Sequence, residues 1–115
     1  INSVEKAAIE RLDFGKLQLI FKELAEKNHS EAQYHLANLF KHGWCGNQKN
    51  DELFVYWLEK AAENKWSDAM VDLAEILLSG GYKATDLLKA KALLESAKEL
   101  GSWRAYDLLK SKNWN

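Results

Sequence analysis

An alanine followed four residues later by a leucine recurs at a fixed interval along this chain. The pairs are Ala32–Leu36, Ala69–Leu73 and Ala105–Leu109, 37 and then 36 residues apart. Ala61 and Ala97 repeat the spacing of 36, and Gly43 and Gly80 are 37 apart. An interval in the thirties, carried by small and apolar residues, marks a helical repeat array whose units bury their apolar faces only against one another. The expected fold is all-α: a right-handed α/α solenoid of about three helix pairs, about seven helices in all.

The totals suit that fold and exclude several functions. A chain of 115 residues has room for one domain that needs no metal or disulfide to hold its core. It contains no proline, as expected of helices joined by short corners. Sixteen Lys and Arg against seventeen Asp and Glu leave a formal charge of −1, and no basic cluster is interleaved with aromatics. Neither nucleic acid nor an anionic membrane surface is an expected partner. No apolar run approaches the roughly 20 residues a membrane helix requires. The single cysteine, Cys45, forbids an internal disulfide. A chain that starts at Ile1 is expected to be a trimmed sequence or a mature one freed of its leader. On that reading a periplasmic or secreted location is favoured over the cytoplasm, with a piece of a longer array left open.

Apolar residues spaced by three and four predict the helices in order. Ser3–Leu12 is followed by Phe14–Lys27, capped by Asp13, with Leu17, Ile20, Phe21, Leu24 and Ala25 facing inward. Glu31–His42 is capped by Ser30 and ended by Gly43. A polar joint, Trp44–Asn50, leads to a helix capped by Asp51 with Phe54, Trp57, Leu58, Ala61 and Ala62 inside. Ala69–Ser79 carries Ala69, Val71, Leu73, Ala74, Ile76 and Leu77. Leu87–Leu100 opens at Thr85 and Asp86 and stops at Gly101, and a short helix begins near Trp103. The expected division of the single domain is a partial capping unit 1–30, repeats 31–67 and 68–102, and a capping helix 103–115. Trp103 and Trp114 are expected to cover the open end of the stack.

The run Trp57–Gly80, WLEKAAENKWSDAMVDLAEILLSG, resembles the Sel-one-like repeat, a relative of the tetratricopeptide repeat. Trp57, Ala61, Ala62, Ala69, Leu73 and Gly80 match its pattern, and Ala32, Tyr34, Leu36, Phe40 and Gly43 match in the unit before. The turn glycine that follows the double alanine in that pattern is present only as Gly101. Asn28 and Lys65 stand at the other two corners, so Lys65 is expected in a strained or altered turn.

Catalytic and metal chemistry find little support in the sequence. His42 and Cys45 flank Trp44, but a zinc site needs three or four ligands, and only His29, His35 and Asp51 are at hand to complete one. Cys45 as a nucleophile lacks the surrounding residues of a cysteine hydrolase, and that reading is kept only as a remote alternative. Gly80–Gly81 follows a helix, the wrong order for phosphate binding. No cofactor, metal or catalytic residue is expected.

The resemblance implies instead that the first helix of each pair lines a concave surface. The outward positions there are Tyr34, Asn38, Lys41, His42, Asp72, Glu75 and Ser79. Trp44 and Trp66, in the joints, are added as candidate partner contacts because tryptophan offers a large apolar face with one donor. A strip mixing aromatic, amide and charged groups suits a polypeptide. The expected function is a non-catalytic, monomeric protein-binding module. It is read either as an immunity protein neutralising a secreted effector enzyme or as a general adaptor in bacterial signalling or secretion.

Overall fold

The structure, a computed structural model, describes residues 16, 18–43, 48–79, 84–112 and 114. The expected helix Ser3–Leu12 and most of the capping unit 1–30 lie outside them, as do Leu17, Trp44, Cys45, Gly80 and Gly81. The described residues form six helices and no strand. They are α1 (18–26), α2 (Ser30–His42), α3 (Asp51–Glu63), α4 (Ser67–Ser79), α5 (Ala84–Glu99) and α6 (Trp103–Ser111).

From α2 onward, each helix packs chiefly on the one before it and the one after it. The result is a rod measuring 57 × 26 × 25 Å with a radius of gyration of 16.7 Å. A closed bundle of this length would have a radius near 13 Å, so the helices are stacked along a line.

Alanine sets the stacking distance. Ala32, Ala61, Ala69, Ala97 and Ala105 are all buried, and between them lie the fully buried Leu58 and Leu94. Helix axes approach within about 8–10 Å only where a side chain is this short, while the leucines fill the space alongside. Two clusters result, one around Ala25, Ala32, Leu36 and Leu39 and a larger one from Ala37 to Ala105. Trp57 and Phe40 pack against both and join them.

The corners between pairs share one construction. The amide of His29 bonds to the Leu24 carbonyl, that of Trp66 to Ala61, and that of Ser102 to Ala97, each at 3.0 Å. One residue earlier, the amides of Asn28, Lys65 and Gly101 bond to Ala25, Ala62 and Lys98. This double closure requires a left-handed residue at the corner. Asn28, Lys65 and Gly101 supply it with φ of 65°, 69° and 93°. Lys65 therefore does adopt the expected strained turn, held there because its amide and that of Trp66 close the preceding helix.

The helix starts differ from expectation by one residue. Nδ1 of His29 accepts from the Ala32 amide, making His29 rather than Ser30 the cap of α2. Asn50 rather than Asp51 caps α3, with its Oδ1 accepting from the Leu53 amide. The capping side chain must reach the amide three residues on from an extended backbone, and Ser30 and Asp51 are already helical. Asp51 instead places negative charge at the positive end of the helix. Helices α4 and α5 also begin earlier than expected, at Ser67 and Ala84.

One inward assignment fails: Ile20 is half exposed. Ile76, an apolar residue of α4, is partly exposed and lines a surface cleft. Trp114 does pack on the core, with its indole N–H bonding the Leu109 carbonyl at 3.1 Å. Trp103 covers nothing of the kind and is 78% exposed.

One buried polar side chain ties three elements together. Gln33 donates to the Ala25 carbonyl at 3.0 Å and accepts from the Asn64 side chain at 2.9 Å, linking α1, α2 and the α3–α4 corner. Gln33→Ala is expected to cost about 2 kcal/mol, from the lost bonds and the space left behind. Denaturant unfolding measures it. Lys65→Gly should act oppositely. Relief of the left-handed strain outweighs the added freedom of the unfolded chain, for a net gain of about 0.5–1 kcal/mol in the same assay.

Candidate functional site

The first helices of the pairs, α2, α4 and α6, lie side by side, and polar groups cross from one to the next. The phenol of Tyr34 on α2 donates to Oδ2 of Asp72 on α4 at 2.8 Å. Arg104 on α6 donates to the other oxygen of Asp72 at 2.8 Å and to Oε1 of Glu75 at 3.2 Å. It also lies 3.7 Å from Asp68. A single line of bonds thus runs across all three helices, with the Asp72 carboxylate at its centre.

Beside that line is a cleft of about 260 Å³, lined by Lys41, Phe54, Asp72, Glu75, Ile76 and Ser79. Phe54 and Ile76 give it apolar surface, Lys41 a cation, and Asp72 and Glu75 carboxylates. Lys41 holds its Nζ 5.5 Å from the Phe54 ring centre. The Ser79 hydroxyl turns back to donate to the Ile76 carbonyl at 3.1 Å.

Most of the outward residues named from the sequence therefore meet. Tyr34, Asp72 and Glu75 share the network with Arg104, and Lys41, Asp72, Glu75 and Ser79 share the cleft. Asn38 is half-buried and hydrogen-bonds the Tyr34 phenol. His42 is exposed at the end of α2. Trp66 is no projecting contact: it packs against the core, with its ring 6.3 Å from that of Tyr34. Its indole nitrogen is buried and meets no acceptor among the described residues. Among the same residues, no three His, Cys, Asp or Glu side chains gather as a metal site, and no helix is long and apolar enough to cross a membrane.

Arg104 escaped the reading of the sequence, although the period marks it. It stands 36 residues after Asp68, which is 37 after Glu31. A recurring acidic position is turned cationic in the last unit, and the cation reaches the acids of the unit before it.

The environment raises the Tyr34 phenol from its ordinary 10.0 to about 12. Burial is the largest cause, followed by its hydrogen bond to Asp72 and the charge of that carboxylate. Burial works against the charge of Arg104, but Asp72 and Glu75 outweigh it, and its pKa is raised.

A family model described as the Sel1 repeat matches residues 30–65 and 67–102. The chain belongs to the Sel1 repeat family. The matched units begin and end at the left-handed corners described above. Chitin synthase regulatory factor 3 of Schizosaccharomyces pombe is 36% identical over 67 residues, covering 56% of this chain and 7% of that protein. The chain thus spans a small part of that relative's length. The crystal structure of a Sel1 repeat protein from Oxalobacter formigenes superimposes with a TM-score of 0.53 at 19% identity, covering 82% of this chain and 97% of the other. It carries the same stacked-helix fold.

The raised Tyr34 pKa has a consequence for stability. The folded chain holds that proton more tightly than the unfolded one, so the stabilisation is complete below pH 10 and is lost as the pH climbs toward 12. Ultraviolet titration of phenolate is expected to show one of the four tyrosines ionising near pH 12. Tyr34→Phe should abolish that step and flatten the alkaline loss of stability.

Proposed function

We propose that this Sel1 repeat chain is a non-catalytic module that grips a polypeptide along the face of α2, α4 and α6. The observation that supports it is the cleft beside Tyr34, Asp72 and Arg104. Its apolar lining, Phe54 and Ile76, suits one aliphatic or aromatic side chain, and Lys41, Asp72 and Glu75 in the same cleft suit polar groups beside that anchor. The volume is that of a side chain rather than of a drug-sized ligand. Tyr34, Asn38, Lys41, His42, Asp72, Glu75 and Ser79 are the residues proposed to meet the partner, with Arg104 added. Trp44 remains a proposed contact, while Trp66 would act by backing Tyr34.

The bonds within the face set the terms of binding. Asp72 is already shared between Tyr34 and Arg104, but Arg104 balances only one of the three carboxylates around it, Asp68, Asp72 and Glu75. The cluster keeps net negative charge, so it suits a cationic group of the partner and repels a carboxylate. The narrower form of the proposal is an inhibitor of a secreted effector enzyme, and the broader form is an adaptor with several partners.

Affinity capture from the native organism with the wild-type chain and with Tyr34→Ala/Glu75→Ala tests both. The double variant is expected to keep its helical circular dichroism and lose the captured polypeptide. One stoichiometric complex whose enzyme is silenced supports the inhibitor, and several weaker partners support the adaptor. Capture that survives the double variant but fails with Glu95→Lys on α5 would place the partner on another surface.

A further inference from the structure

Arg104 does not serve its three carboxylates equally. Asp72 takes a 2.8 Å bond from Nη2 of Arg104 and a second from the Tyr34 phenol, and its side chain is only 19% exposed. Glu75 receives a 3.2 Å bond from that same Nη2, and Asp68 lies 3.7 Å from Nη1. The side chains of Glu75 and Asp68 both remain about half exposed. One nitrogen divided between two carboxylates leaves the more distant of them under-paired, and pairs this exposed hold each other weakly.

Glu75 is also the carboxylate best placed to meet a partner. It lines the cleft together with Phe54 and Ile76, so a charge bound to it stands beside any apolar side chain seated there. Asp72 lines the same cleft but is already held twice. Lys41 is the cation of the cleft, and it lies against the Phe54 ring. With Lys41 counted, the three carboxylates still outnumber the two cations. Acid is moreover the rule at the position of Arg104, since Glu31 and Asp68 hold it in the earlier units.

We infer that the polypeptide gripped by this face is basic, with a lysine or arginine beside its apolar anchor, and that Arg104 is a resident competitor for the carboxylates that receive it. This rests on the binding face proposed above and names the chemistry of its partner. The anchor packs on Phe54 and Ile76, and the neighbouring cation bonds to Glu75, which gives up its share of Nη2. Arg104 keeps Asp72 and Asp68. An acidic segment meets the surplus carboxylates and is repelled. Arg104 therefore lowers the affinity of the face, and removing it strengthens binding, the reverse of what loss of a direct contact would do.

The test screens the full 115-residue chain against phage-displayed random dodecapeptides, then measures the enriched sequences, labelled with fluorescein, by fluorescence anisotropy. Enriched peptides are expected to carry lysine or arginine close to an aliphatic or aromatic residue, and to bind less tightly as salt rises. Glu75→Gln should weaken them about threefold, and Arg104→Gln should tighten them by about as much. Glu75→Lys, which adds direct repulsion, should cost more than Glu75→Gln. Circular dichroism checks that the variants keep their helices, as expected for half-exposed positions. Basic peptides that are indifferent to Glu75→Gln, or weakened by Arg104→Gln, overturn the inference. Acidic peptides that are lost with Arg104→Gln keep the face and overturn the inference alone. A screen that yields no peptide dependent on Tyr34 and Glu75 overturns the face itself, and the inference falls with it.

Discussion

Helix pairs in this chain touch where a side chain is no more than a methyl group. Ala32, Ala69 and Ala105 at the starts of the first helices, and Ala61 and Ala97 near the ends of the second, let neighbouring backbones come close enough for Leu58 and Leu94 to fill the remaining space. The left-handed corners at Asn28, Lys65 and Gly101 then turn each pair by the same construction. A regular corner with a regular contact distance extends in a line and does not close on itself, hence the 57 Å length. Each unit's apolar face is covered only by the next, so the stability of any one pair depends on its neighbours.

The polar features sit on this frame where the packing leaves the first helices side by side. Tyr34, Asp72 and Arg104 bridge three helices that are far apart in sequence, the two bonds spanning 38 and 32 residues. Half-exposed ion pairs of this kind contribute little to stability. Their larger effect is on recognition, since a partner must present groups that match or replace an arrangement already internally paired. Gln33 does different work. Buried, with its side-chain nitrogen and oxygen each hydrogen-bonded, it ties α1 and the α3–α4 corner to α2.

Much of this was legible in the sequence because a repeat states each structural requirement several times. The 36- and 37-residue spacing of alanine gave the stack, and the helix ends at Gly43 and Gly101 followed from their glycines. The resemblance named outward positions on the first helices, of which Tyr34, Asp72 and Glu75 meet in one network. The misreadings have one kind of cause. Ser30 and Asp51 are good capping residues, but the cap is decided by which backbone position is still extended, and His29 and Asn50 hold it. Ile20 and Trp103 are apolar at helical spacing yet lie where no described neighbouring pair covers them. Arg104 went unread because only the fold places three carboxylates of α4 within 4 Å of it.

By itself the sequence determined that the chain is helical, repetitive and stacked, because the alternation of small and large apolar residues every 36 or 37 positions can be buried in no other regular way. Only the tertiary structure decided which polar groups find one another. Tyr34, Asp72 and Arg104 meet because the corners set one helix beside the next at a given height and rotation. Those two quantities depend on packing across the whole pair rather than on any residue's own preference.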